Sequence, residues 1–190
     1  MPSYKVGYLV GSLATNSINR LLAKALVRLS PRELELTEIE FKDLPLYSYD
    51  YDANYPPAAV AFKDAIAAVE AVLFVTPEYN RSIPGGLKNA IDWASRPYGK
   101  NSFARKPSTA IGTSPGKIGT AIAQQHLRSI LAFCNSPQMN AVEAYIQFEP
   151  GLITDDGRVT IQATEEFLRN YMLEFAGFIA RVYTVLPRNP

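Results

Sequence analysis

Apolar positions along this chain follow two periods that take turns. YKVGYLV (4–10) is apolar almost throughout and predicts a buried strand. From Ile18 the period changes, and Ile18, Leu21, Leu22, Ala25 and Leu29 fall on one helical face before Ser30-Pro31 stops the helix. LELTEIEF (34–41) alternates as a second strand, and DLPLYSYDYDANYPP (43–57), rich in Tyr and Pro, reads as irregular. AVAFKDAIAAVE (59–70) predicts a helix. AVLFVT (71–76) is a continuous apolar run, as expected of a central strand covered on both faces. In LKNAIDWAS, Leu87, Ala90, Ile91 and Ala94 share a helical face that ends at Arg96-Pro97. STAIGTS (108–114) is a fourth strand, followed by a helix over 119–133 with Ile122, Ile130 and Leu131 inside. AVEAYIQF (141–148) alternates as an edge strand, and Asp155-Asp156-Gly157 marks a turn. The last helix runs from 160 to about 183 and carries Ile161, Leu168, Tyr171, Phe175, Phe178, Ile179 and Val182 on one stripe.

Five strands separated by helices imply an α/β fold of three layers, a doubly wound, five-stranded parallel sheet. At this length the economical strand order is 2-1-3-4-5, the flavodoxin-like arrangement. With no internal repeat, linker or low-complexity tract, residues 1–190 read as a single domain. The order also says where function should lie: outside the carboxyl ends of the strands, at the switch point between the first and third. Three loops meet that description, Ser12–Asn19, Pro77–Ser82 and Thr113–Gly119.

Charge narrows the class of partner. The 19 basic and 18 acidic residues give a net charge of +1, with no basic run to suggest nucleic acid. Arg20, Lys24 and Arg28 recur every four residues and read as a solvated helix face. One cysteine, Cys134, and one histidine, His126, build neither an internal disulfide nor a zinc site of the usual spacing. A soluble protein of the cytoplasm is the expectation, and VGYLVGSLA is read as a buried strand rather than a signal-peptide core. Cys134 reads as a core thiol and His126 as a packed or interface histidine.

The first loop is unusual in chemistry. Ser12, Thr15, Asn16, Ser17 and Asn19 place hydroxyl or amide side chains in five of eight positions, with no charged residue before Arg20. They stand where a strand gives way to a helix, whose first N–H groups are free and whose N-terminal end is positive. Such a junction can cradle a phosphate without a lysine; the simpler reading is that Thr15, Asn16 or Ser17 caps the helix. No G-x-G-x-x-G and no G-x-x-x-x-G-K-[ST] occurs, which argues against dinucleotide and nucleoside-triphosphate turns. In the second loop, Pro77 and Asn80 would present backbone groups to a flat ring and Tyr79 a stacking face; alternatively the loop is a turn with a Ser82 cap.

GSLATNSINRLLAKAL followed by TPEYNRSIPGGLKNAIDWASRP resembles the NADPH-dependent FMN reductase family, over roughly residues 4 to 135. That family includes quinone, azo-dye and chromate reductases. The resemblance implies that Ser12, Ser17 and Asn19 hold the phosphate of FMN, with Leu13, Ala14, Thr15, Asn16 and Ile18 in the same loop. It places Pro77, Glu78, Tyr79 and Asn80 at the isoalloxazine, and Ser114 and Gly116 where the third loop meets the flavin. Ala14 stands where relatives often carry arginine, so phosphate binding leans more on neutral donors. Arg81 stands where an aromatic is frequent, and offers a cation to a nucleotide phosphate.

The implied activity is hydride transfer from NADPH or NADH through flavin N5 to quinones, azo compounds, metal oxyanions or free flavin, in ping-pong order. The flavin carries the chemistry, so no general acid and no metal is assigned. A flavodoxin-type electron carrier is the alternative, although such carriers are usually acidic. Glu78 is expected to order its loop or bond across a subunit interface. Lys88 and Asp92, four apart on a helix, are expected to pair. Tyr47, Tyr49, Tyr51 and Tyr55 border the crevice or cover a neighbouring subunit, and a homodimer or homotetramer is expected.

Overall fold

The computed structural model describes residues 3–186. Five parallel strands form one sheet in the order β2-β1-β3-β4-β5: β1 (Tyr4–Val10), β2 (Leu34–Glu38), β3 (Ala71–Val75), β4 (Ser108–Ser114) and β5 (Tyr145–Gln147). Helices α1 (Ile18–Leu29), α2 (Pro57–Ala67), α3 (Gly85–Ser95), α4 (Ala121–Phe133) and α5 (Gln162–Val185) connect the strands or, in the case of α5, follow the last. The doubly wound order expected from periodicity is therefore the one observed.

The helices divide between the faces by their apolar stripes. Leu22, Ala25, Leu26 and Leu29 of α1 join Leu168, Tyr171, Phe175 and Ile179 of α5 in one buried layer. Phe62 and Ile66 of α2, Leu87 and Ile91 of α3, and Leu127 and Leu131 of α4 form the other. β3 lies at the centre and is buried at every position, which is why its sequence shows no alternation.

Several boundaries differ from the pattern, each for a tertiary reason. The second strand ends at Glu38 rather than residue 41, because Ile39 and Phe41 turn into the α2 layer. The fifth strand shortens to Tyr145–Gln147. A separate piece pairs with the start of β4, where Met139 N–H donates to the Ser108 carbonyl (2.9 Å). Between the two pieces the buried Tyr171 hydroxyl reaches in from α5 and donates to the Ala110 carbonyl (2.9 Å), an acceptor on the edge that faces β5. Burial pushes that phenol well above its ordinary pKa. Val142, Ala144, Ile146 and Phe148 still face the core, as their alternation requires. On α4 the inner face is Ala123, Gln124, Leu127 and Leu131, with Ile122 and Ile130 only half-buried. Ile161 is 47% exposed and lies outside the α5 stripe, at the N-cap.

The tyrosine segment mostly covers its own chain. Tyr47, Tyr51 and Tyr55 lie 5.1, 5.4 and 5.1 Å from the fully buried ring of Trp93, whose indole N–H donates to the Pro45 carbonyl (2.7 Å). Burial and the neighbouring Asp52 push the Tyr55 phenol up to about 12. Tyr49 turns outward, 80% exposed, and Tyr51 remains 38% exposed beside its contact with Trp93. Lys88 and Asp92 pair at 2.7 Å, as their spacing predicts, and Cys134 is buried at the end of α4, where desolvation raises its thiol pKa.

Candidate active site at the carboxyl edge of the sheet

Val10, Val75 and Ile111 are in register across β1, β3 and β4, so the loops after these strands leave the sheet side by side. Two glycines make the crowding possible. A Cβ on Gly112 would lie 2.0 Å from the Thr76 carbonyl oxygen and 2.3 Å from Thr120 Oγ1. A Cβ on Gly11 would press on Leu87, Thr76 and Pro77 at 3.1–3.2 Å.

The first loop is open. Ser17 is the N-cap of α1 and its hydroxyl accepts from Arg20 N–H at 3.3 Å. Ser12 Oγ accepts from Ala14 N–H at 3.4 Å, a long contact. The N–H groups of Leu13, Thr15, Asn16 and Ser17, and the side chains of Thr15 and Asn16, find no hydrogen-bond partner among the described residues. Leu13, Ala14, Thr15 and Asn16 are exposed, Ser12 and Ser17 buried, and Ile18 half-buried. No carboxylate stands between Gly11 and Arg20. Free N–H groups, neutral hydroxyls and a helix N-terminus form a donor set that fits a phosphate monoester.

Asn19 is placed differently from its neighbours. It is 1% exposed, its amide donates to the Thr113 carbonyl (2.9 Å), and its carbonyl oxygen accepts from Thr113 N–H (3.0 Å). The side chain thus pairs with β4 as a strand would, holding α1 against the strand that carries Ser114. Its polar groups are engaged within the fold, which makes it a positioning residue.

The second and third loops brace each other. Tyr79 and Ser82 exchange both backbone hydrogen bonds (2.9 and 3.0 Å), with Asn80 and Arg81 left-handed between them at φ 50° and 62°. That is the geometry of a type I′ turn, which Asn tolerates and Arg adopts at some cost. Glu78 holds the turn in place. One carboxylate oxygen accepts from Ile122 N–H and Ala123 N–H, both at 3.0 Å, and the other pairs with the Arg81 guanidinium at 3.1 Å. The N-terminus of α4, which lacks a cap from its own Thr120, is thereby closed by a carboxylate from the neighbouring loop. Ser82 does not cap α3; its hydroxyl meets His126 Nδ1 at 3.1 Å, and His126 is exposed.

Ser114 also turns inward: its hydroxyl donates to the Gly119 carbonyl (2.6 Å) and accepts from Gly116 N–H (3.2 Å), shaping the third loop. Glu78, Asn80, Arg81, Ser114 and Gly116–Gly119 border an open depression of about 450 Å³. Thr15, Asn16 and Ser17 border another, of about 390 Å³, with Arg20, Lys24 and Asp155. The Asn19–Thr113 pair ties the helix beside one to the strand beside the other. Tyr79 stands at the turn, 51% exposed, while Pro77 is buried beneath it.

The sequence named the loop Thr113–Gly119 and a turn at Asp155-Asp156-Gly157, but assigned no role to Thr113 or Lys117 within that loop. No local feature placed the turn against α1.

Comparison with known proteins finds relatives over most of the chain. The profile of the NADPH-dependent FMN reductase family matches residues 4–150. The chain is 45% identical over 175 residues to a 2-hydroxy-1,4-benzoquinone reductase of a Burkholderia species, covering 92% of this chain and 96% of that one. It is 44% identical to a quinone reductase of Pseudomonas putida, covering 93% and 95%. Among solved structures it resembles FerB, the flavoenzyme NAD(P)H:(acceptor) oxidoreductase of Paracoccus denitrificans, with a TM-score of 0.90, 44% identity, and 94% and 98% of the two chains covered.

Proposed function

From the premise that the chain belongs to the NADPH-dependent FMN reductase family, we propose that it is a flavoenzyme that oxidises NADPH or NADH and reduces small-molecule acceptors, quinones first. Azo compounds, metal oxyanions and free flavin extend the acceptor range. The observation that carries the reading is the donor set of residues 12–17: unpaired N–H groups and hydroxyls at a helix N-terminus, with no carboxylate among them.

In this reading Ser12, Leu13, Ala14, Thr15, Asn16, Ser17 and Ile18 form the loop that holds the phosphate of FMN, and Asn19 fixes that loop to β4. Pro77, Glu78, Tyr79 and Asn80 hold the ring edge across from Ser114 and Gly116. FMN held by these residues would supply the redox chemistry between the nicotinamide donor and the acceptor. The protein binds and orients. Glu78 keeps the 79–82 turn on α4, Tyr79 offers an aromatic face, and Arg81 and Lys117 bring positive charge to the rim of the depression. A ping-pong order of substrates, donor and acceptor using the same depression in turn, belongs to the same reading.

The reading extends to assembly. A homodimer or homotetramer is expected, with Leu46, Tyr49, Tyr98 and Phe133, between 78% and 89% exposed, as candidate contacts. Sedimentation at micromolar concentration tests this, and a strict monomer contradicts it. Among the described residues no helix is long and apolar enough to cross a membrane. The reading takes residues 1–190 as one flavin-binding domain and the cytoplasm as its location.

The decisive assay adds FMN to the purified protein and follows NADPH oxidation with benzoquinone. Yellow protein with rapid, acceptor-dependent oxidation is expected. Yellow protein inert to NADPH supports an electron carrier, and failure to take up FMN overturns the reading.

A further inference from the structure

We propose that Lys24 supplies the positive charge for the phosphate held at the N-terminus of α1, in place of the charge that Ala14 does not bring; this rests on the reading of residues 12–17 as a phosphate loop. A phosphate monoester near pH 7 carries between one and a half and two negative charges. The helix end offers roughly half a positive charge, and the rest of the loop is neutral. More than one charge is then left to hydrogen bonds from neutral donors, and a cation within reach adds to them.

Three cations lie along α1 at the right spacing, and two are engaged. Arg20 pairs with both oxygens of Glu38, at 2.8 and 3.0 Å. Arg28 faces Asp156 at 3.9 Å. Lys24 makes no ion pair among the described residues; its ammonium donates to the Asp155 carbonyl at 2.7 Å. It also borders the same depression as Thr15, Asn16 and Ser17. Lys24 follows Ser17 by seven residues, about 10 Å along the helix axis. Side chains on a helix lean towards its N-terminus, and a lysine stem of four carbons covers most of that distance.

The wall opposite is built to hold the ammonium there. Gly157 is left-handed at φ 83°, and a Cβ on it would lie 2.8 Å from the Lys24 carbonyl carbon and Cβ. Only glycine lets the 154–158 turn rest on α1 at this position, and hydrogen bonds between Thr154 and Arg158 close the turn. The Asp155 carbonyl is thus fixed beside Lys24. Asp155 borders the same depression as Lys24 and the residues 15–17.

The test compares FMN with riboflavin, which lacks the phosphate, by fluorescence titration of flavin-stripped protein. Lys24→Met keeps the apolar stem, and Lys24→Arg keeps the charge. The expected result is a loss of about five- to twentyfold in FMN affinity for Lys24→Met, riboflavin affinity unchanged, and recovery in Lys24→Arg. The FMN affinity of Lys24→Met should also depend less on salt. Unchanged FMN affinity in Lys24→Met, while wild type still prefers FMN over riboflavin, overturns the role of Lys24 alone. An equal fall for both flavins overturns it as well. If wild type binds the two flavins equally, the phosphate loop itself is misassigned and Lys24 falls with it.

Discussion

Helices α1 and α4 both begin at the carboxyl edge of the sheet, one after β1 and the other after β4, yet their N-termini are finished in opposite ways. That of α4 is closed by an internal anion, since the Glu78 carboxylate accepts two of its first N–H groups. That of α1 is left open: Ser17 answers one N–H, and the loop before it presents unpaired donors. The same local physics, free N–H groups at a positive helix end, thus serves to fix a loop at one place and leaves room for a ligand at the other. The difference lies in where the nearest carboxylate points.

The contrast can be broken most severely at Asn19, which joins the two regions. Asn19→Ala leaves the N–H and carbonyl of buried Thr113 unpaired, and should cost about 2–4 kcal/mol in urea denaturation. Closing and opening can then be exchanged at Glu78. Glu78→Ala should cost about 1–3 kcal/mol and expose a second anion site at α4. Added sulfate should therefore raise the melting temperature of Glu78→Ala more than that of wild type, and an equal response would show that the carboxylate is not what closes α4. Smaller still is Ser17→Ala, which removes the α1 cap at a cost of about 1 kcal/mol and should weaken FMN more than riboflavin. In the other direction Ala14→Arg adds a cation to the open loop. It should tighten FMN several-fold and leave riboflavin alone, and unchanged FMN affinity would count against the placement of the phosphate.

Much of this was legible in the chain. The alternation of periods is strong enough to order all the elements, and the continuous apolar run of 71–76 singled out the central strand. What could not be read were the ends of β2 and β5, because they depend on Phe41 finding the α2 layer and Tyr171 reaching Ala110. The site divides the same way. The concentration of hydroxyls and amides before α1 is a local property and could be seen. Which of them point outward is not local: Asn19 turns to a strand 94 residues away, and Glu78 to a helix 44 residues away. Ser114 closes its own loop. Residue type announced polarity at these positions, and tertiary structure decided whether that polarity faces a ligand or the fold.

Backbone amide NMR on flavin-stripped protein tests the central claim most directly, because it reports the two helix ends in one experiment. FMN should shift the amide signals of Leu13, Thr15, Asn16 and Ser17 strongly, riboflavin should shift them far less, and those of Ile122 and Ala123 should respond alike to both flavins. Phosphate-dependent shifts at Ile122 and Ala123, with none at residues 13–17, would contradict the account.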